Sequence, residues 1–464
     1  MRFFSLVGLF GLLAACGGNE PSGAGGSAGS GGSGAGGAGG GGGSGAITYE
    51  FETLGTRSAT FDMTTYEATL VAAHRSDGGT SYLMVIPAAK TKAPVIVDMA
   101  PYTGIDWTGE EVDTRHATEN AGPFSFYPDT DAPLDPPSTE NCAYGFVPAE
   151  TQIQGEAFHL LNGHAVIVAF GRFYAGGDLT DDAADAAAPF HYIAAHAADF
   201  DAERIGVHGN SWGGFMALAG IGRRPAGQSI RAVTAANPPT DFVDFYDYWK
   251  TTLPAVYPYK DELGFFEGYR RRIEATTGGP PADNEAAFEK WRRDALCEGL
   301  DGDVMIPQDD WDTLVPVGQT ESFLATCSDK ARGLFWRRRT PVDYAAIHLA
   351  HGALEQEPGF PSSRTLGFLH LHLSLANESD VVLAYYDDAA LRVFFQTVHD
   401  AQVDGKDITY ASPALADLLD PRVAAYDFGT TQVKAGPDLV STIVSDIWGT
   451  PVTPADLAQG FPAP

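Results

Sequence analysis

Between Arg204 and Gly220 the chain reads RIGVHGNSWGGFMALAG, and this stretch constrains the fold more than any other. Ile205 and Val207 belong to a short apolar run of the kind that forms a buried parallel strand. Gly209-Asn210-Ser211-Trp212-Gly213 interrupts it, and Phe215, Met216, Leu218 and Ala219 continue as a helix rich in small residues. A G-x-S-x-G between strand and helix makes a sharp turn that lifts the serine hydroxyl above a sheet. A side chain at either glycine would collide across that turn. The helix N-terminus behind it offers free N–H groups and a positive dipole end, which suit a developing oxyanion.

The remaining strands and helices alternate around this turn. Residues 47–72 read as an opening pair of strands, and HRSDGGTSYLMVIPA reads as strand, turn at Gly78-Gly79, strand. Apolar runs at 94–99, 163–170 and 230–235 predict buried strands, with helices at 158–162 and 183–198. Residues 104–150, rich in Pro, Asp and Gly, predict a long loop near the site. Residues 240–335 carry aromatics, charge and helical periodicity, and read as a helical lid inserted over the site. A strand at 345–351, a helix at 363–376, a last core strand at 380–386 and a helix at 391–403 follow. The alternation implies an α/β fold: one domain over 47–464 with a doubly wound, mostly parallel sheet.

The start of the chain stands outside that domain. Arg2 and the apolar stretch 3–13 read as an export signal, too short to span a membrane as a stable helix. Leu13-Ala14-Ala15-Cys16 resembles the bacterial lipoprotein signal, which implies lipid modification of Cys16; a simple secretory signal is the alternative. Residues 17–46, almost entirely Gly, Ser and Ala, cannot bury a core and predict a flexible tether. An exported, membrane-anchored protein follows. Gly17 stands where an inner-membrane retention signal has Asp, which points to the outer membrane of a diderm cell. The net charge of −31 argues against a nucleic-acid partner, which needs a basic face. Beyond Cys16 there are Cys142, Cys297 and Cys327; Cys297 and Cys327 flank one segment and are the expected disulfide pair. No cysteine–histidine spacing suggests a metal, and no cofactor is expected.

Five segments carry a family resemblance: APY at 100–102, GHAVIVAFGR at 163–172, HGNSWGG at 208–214, FWRRRTP at 335–341 and AHGALE at 350–355. Together they resemble the prolyl-oligopeptidase and X-Pro dipeptidyl-peptidase branch of the α/β-hydrolases, which includes cocaine-esterase-like acyl hydrolases. The resemblance implies an α/β-hydrolase fold and cleavage of small ester or peptide substrates through an acyl-enzyme. Ser211 takes the nucleophile's place. The Trp212 N–H and the Tyr102 hydroxyl take the places of the oxyanion donors.

Glu355, after the His351-Gly352 pair, takes the place of the acid, with Glu357 beside it and Asp387 or Asp388 in another register. The family's histidine falls in the loop after the last strand, here 386–391, which has none. His370 and His372 lie mid-helix, and His208 precedes the elbow as a structural residue. His399, on the polar side of the last helix, is the remaining base downstream of Glu355. The expectation is a triad of Ser211, Glu355 and His399. The alternative is a degenerate hydrolase fold kept as a surface binding protein.

Overall fold

The computed structural model describes residues 47–61, 64–101, 106–107, 112–113, 156–173, 178–256, 263–309, 312–336, 362–375, 382–384, 388–406, 408, 411–426, 432–433 and 437–464. The strands of the first half are β1 (Tyr49–Phe61), β2 (Thr64–Arg75), β3 (Thr80–Ile86), β4 (Ala93–Ala100), the ribbon β5 (Asp106–Trp107) and β6 (Val112–Asp113), β7 (Ala165–Phe170) and β8 (Phe200–Asn210). They are followed by β9 (Ile230–Ala236), β10 (Asp303–Asp309) and β11 (Ala331–Trp336). Nine of these form one sheet in the order β1-β2-β3-β7-β4-β8-β9-β10-β11. β1, β2, β3 and β7 pair antiparallel, and every pairing from β7 to β11 is parallel. The chain winds out from β4 to β7, then returns across β4 to β8 and continues outward. The carboxyl ends of β4, β7 and β8 therefore surround the switch point where open α/β sheets hold their ligands.

The central strands carry apolar side chains to both faces, as strands covered by helices on each side do. On β7, Ala165, Ile167 and Ala169 face one core, while Val166, Val168 and Phe170 face the other. The early helices are α1 (Ala157–Leu161), α2 (Leu179–Ala195) and α3 (Trp212–Ile221). Between β9 and β10 lie α4 (Phe242–Asp247), α5 (Leu253–Val256), α6 (Leu263–Thr277), α7 (Glu285–Phe288) and α8 (Arg293–Glu298). α3 packs on β4, β8 and β9 and contributes Phe215, Met216 and Leu218 to the first core. The second core is closed by α10 (Ser362–Leu373), α11 (Asp388–Val403) and α13 (Pro437–Trp448); α9 (Val317–Thr326) precedes α10, α12 (Ser412–Leu418) precedes α13, and α14 (Pro454–Leu457) follows α13.

Two features depart from the sequence expectation. The helical insertion ends at Glu298, short of 335, because β10 and β11 are full members of the main sheet. β10 was hidden by its own composition: Pro307, Gln308 and Asp309 break the apolar run, yet Gln308 and Asp309 are completely buried. The stretch 380–386, read as the last core strand, instead supplies β12 (Val382–Ala384) to a separate sheet with β13 (Val423–Tyr426) and β14 (Gln432–Val433). Among the described residues the main sheet thus finishes at β11. The strand expected at 345–351 lies outside the described residues, as do the signal and tether of residues 1–46.

Cys297 and Cys327 are joined by a disulfide with a Cα–Cα distance of 5.8 Å. It links the end of α8 to the residue that closes α9, so the covalent loop encloses β10. Cross-linking residues 30 apart lowers the entropy of the unfolded chain. The paired substitution Cys297→Ser/Cys327→Ser is expected to lower stability by about 3–4 kcal/mol in urea unfolding. An unchanged unfolding midpoint would show that the bond contributes nothing to stability.

Candidate active site

β8 ends at Asn210 and α3 begins at Trp212, leaving Ser211 alone at the turn with φ 53° and ψ −118°. A non-glycine residue at positive φ is uncommon and carries strain, and such strain gathers at functional sites. The surrounding main chain enforces it. A Cβ on Gly209 would lie 2.2 Å from the Gly213 carbonyl oxygen, and one on Gly213 would lie 2.5 Å from the Met99 carbonyl oxygen. Neither neighbour can yield, because both are backbone. The Ser211 N–H donates to the Ala236 carbonyl at 2.6 Å, which anchors the turn to the end of β9. Trp212 opens the helix, so its backbone N–H is among the first-turn amides that have no intrahelical acceptor.

The next strand ends are tied to this turn by a second residue at positive φ. Asn237, at φ 45°, donates its N–H to the Pro307 carbonyl at 2.9 Å. Its side-chain oxygen accepts from the Asp309 N–H at 3.2 Å. Beyond β10 the chain turns at Asp312, which is buried; its carboxylate accepts from Leu314 N–H at 2.9 Å and Val315 N–H at 2.8 Å. The helical insertion reaches this turn through the Trp249 indole, which donates to the Leu314 carbonyl at 2.8 Å. Ser211, Asn237 and Asp312 thus follow three adjacent parallel strands at the same edge of the sheet.

Beneath that edge runs a polar layer. Asp98, His208 and Thr234 stand in register on β4, β8 and β9. His208 Nδ1 lies 2.8 Å from the Thr234 hydroxyl. Burial pushes the Asp98 carboxyl up, and it pushes the His208 imidazole down. On the same face His370 of α10 sits with Nε2 3.1 Å from His159 Nδ1 and stacks on the His164 ring at 5.0 Å. Burial, reinforced by the neighbouring imidazoles, holds His159 and His164 well below the usual histidine range.

Residues 81–347, more than half of the chain, match the X-Pro dipeptidyl-peptidase (S15 family). The chain belongs to this family. No curated protein matches the sequence. Among solved structures, a puromycin hydrolase is 15% identical over 59% of this chain and 35% of its own, with a TM-score of 0.37. An acetyl xylan esterase from Paenibacillus is 12% identical over 64% and 83%, with a TM-score of 0.38. The acylaminoacyl peptidase of Pyrococcus horikoshii is 14% identical over 69% and 44%, with a TM-score of 0.39. The chain spans about a third of the length of the puromycin hydrolase it matches.

The S15 match brackets the elbow, β10, β11 and the Asp312 turn. Of the residues singled out from sequence, Ser211 and Trp212 meet at the elbow. His399 lies deep in α11, its ring edge-on to Trp448 of α13 at 5.1 Å and its Nδ1 3.5 Å from Asp400. Neither partner belongs to the elbow. His372 of α10 pairs with Asp303 at 3.2 Å. Tyr102, Glu355, Glu357 and Asp387 lie outside the described residues, with Cys16 and Cys142, and Asp388 opens α11. Sequence reasoning missed Asp312. The signal was the run Asp312-Thr313-Leu314-Val315-Pro316 directly after a strand, and it was lost with the strand.

The buried imidazoles give a pH dependence whose sign is fixed. His164 is neutral in the fold and takes up a proton more readily when unfolded, so its contribution is complete above about 6.5 and is lost as pH falls below it. His164→Phe keeps a ring against His370 and removes the titration. Its stability should fall less steeply than that of the parent between pH 6.5 and 5, by up to about 1.4 kcal/mol per pH unit. The neighbouring carboxylates are common to both proteins and cancel. Identical slopes in urea titrations at the two pH values would exclude His164 as a source of acid sensitivity.

Proposed function

We propose that this protein is an exported serine hydrolase that cleaves ester or amide bonds, peptide bonds included, through an acyl-enzyme on Ser211. The observation that carries the reading is the Ser211 backbone at φ 53°, held there by two glycines whose replacement would meet main-chain atoms. In the first half-reaction Ser211 Oγ attacks the acyl carbon, its proton passes to an imidazole, and the leaving group departs with that proton. Water then attacks the acyl carbon in the same way and restores the serine. The tetrahedral oxygen takes a hydrogen bond from the Trp212 N–H, with the Tyr102 hydroxyl as second donor on the family resemblance.

The strand order supports a different acid and base from those first expected. In α/β-hydrolases the triad runs Ser, acid, His along the chain. Asp312 follows β10, the second strand beyond the nucleophile strand, and we assign it the role of the acid in preference to Glu355. The base then belongs to the segment 337–361 that follows β11, where the sequence has His348 and His351. We assign His351, which opens the H-G pair, in preference to His399.

The test is fluorophosphonate labelling and ester hydrolysis by the purified chain. Ser211→Ala should abolish both, and Asp312→Asn should lower turnover by about 10⁴. His351→Ala should cost about as much as Ser211→Ala, since triad members act as a unit. An equal loss in Glu355→Gln and His399→Ala, with Asp312→Asn unaffected, would return the acid and base to those residues. A wild-type chain that never labels would instead favour a degenerate fold serving as a surface binding protein.

Anchoring through a lipid on Cys16 belongs to the same proposal, with the outer membrane as its site. The Gly/Ser run of 17–46 would hold the domain some tens of Å from that surface (roughly 5–6 Å × √n for such a coil). Cys16→Ser should move the protein from the membrane fraction to the soluble fraction or block its maturation. Unchanged membrane retention would exclude lipidation there.

A further inference from the structure

We infer that Asp182 is a positioning residue for the oxyanion side of this site: its carboxylate fixes the Trp212 indole, and through it the backbone N–H that follows Ser211. The inference rests on the proposed role of Ser211 and adds a residue which that role does not itself require.

Asp182 lies in the first turn of α2 and is completely buried. A carboxylate removed from water is costly unless hydrogen bonds replace its solvation. Asp182 receives three. The Trp212 indole Nε1–H donates to Oδ2 at 2.6 Å. The backbone N–H groups of Arg172 and Phe173 donate to Oδ1 at 2.7 and 2.8 Å. One side chain therefore joins the elbow, the segment leaving β7 and the start of α2. The approach is close: a Cβ on Gly171 would lie 3.0 Å from Asp182 Oδ1.

Arg172 sends its guanidinium past Asp182. Its Nε donates to Asp185 Oδ2 at 2.8 Å, and its terminal nitrogen lies 2.9 Å from Asp181 Oδ1. Asp182 is thus held by directional N–H donors. Burial first, and then the charge of Asp185, raise its carboxyl to about 7 against the downward pull of the Trp212 indole and the two backbone donors.

Ring packing alone would leave Trp212 free to slide. Its ring lies 4.1 Å from Phe173 and tilted to it, with Phe242 edge-on at 5.6 Å. Such contacts are apolar and only weakly directional. The indole–carboxylate bond adds the direction. With the far end of the side chain pinned, the torsions about the Trp212 Cα lose their play, and the N–H of that residue keeps its aim. An oxyanion donor acts only while it points at the developing charge, so this aim counts in the transition state and not in substrate binding.

The experiment measures hydrolysis of p-nitrophenyl acetate by the full chain, with rates taken per fluorophosphonate-titrated site. Asp182→Asn leaves one acceptor oxygen where the indole and the two backbone N–H groups use two, so an NH2 must face a donor, and Trp212→Phe removes the indole donor while keeping a ring. Each should lower kcat by about 10- to 100-fold, less than the full loss of an oxyanion donor, and leave KM within about threefold. The double variant should be no slower than the worse single one, because both act through one bond. Losses that multiply in the double variant, or a loss confined to KM, would overturn the inference and make Asp182 a packing residue of the loop. If Asp182→Asn fails to fold, Trp212→Phe decides alone, and wild-type kcat per titrated site in that variant overturns the inference. A wild-type chain that takes up no probe overturns the proposed role of Ser211, and this inference with it. A labelled wild type with unaffected variants overturns this inference only.

Discussion

Two main-chain contacts hold the site in shape: Gly213 over Gly209, and Met99 against Gly213. Each leaves no volume for a Cβ, at 2.2 and 2.5 Å from carbonyl oxygens. Backbone cannot rotate out of the way as a side chain can, so the geometry follows from the glycines and not from surrounding packing. Ser211 inherits a positive φ as a result, and α3 starts one residue later with its amides directed at the sheet edge. The fully buried apolar face of α3 and the parallel ladders on either side of β8 stabilise a turn that costs free energy by itself.

The outward part of the sheet extends this arrangement. β9 is followed by Asn237, whose backbone and side chain both reach β10. The ladder between β9 and β10 covers only Asp303 to Met305 on the β10 side, so above it the two strands are connected by the asparagine in place of strand pairing. Pro307, which has no N–H to offer a ladder, lies where pairing with β9 has ceased, and its carbonyl accepts from Asn237. The Gln308 amide then donates to the Val315 carbonyl and accepts from the Thr320 hydroxyl, which fixes the Asp312 turn to α9.

How far the chain could be read before its structure was known follows from what apolar patterning records. The elbow was legible because two glycines at fixed spacing have a steric cause that no other arrangement of this stretch supplies. β4, β7, β8 and β9 were legible because strands buried on both faces carry runs of apolar residues. β10 was not, because its last residues are polar and buried by partners distant in sequence: Asn237 for Asp309, Thr320 for Gln308. Losing that strand moved the assumed end of the sheet to 380–386, and the histidine was sought beyond it, while the acid was sought after His351-Gly352. Asp182 was invisible for a related reason, since an aspartate in the first turn of a helix looks like an ordinary favourable charge near the dipole. Only its contact with Trp212, 30 residues away, distinguishes it.

The disulfide has a consequence for the integrity of the chain. Cys297 and Cys327 close a loop that contains β10 and the turn at Asp312. A protease that cuts once inside this loop leaves two polypeptides that are still covalently joined, with β10 still hydrogen-bonded to β11 on its outer side. A nicked molecule would therefore migrate as one species until a thiol is added and as two afterwards. Damage at this part of the surface would escape any assay of size performed without reductant.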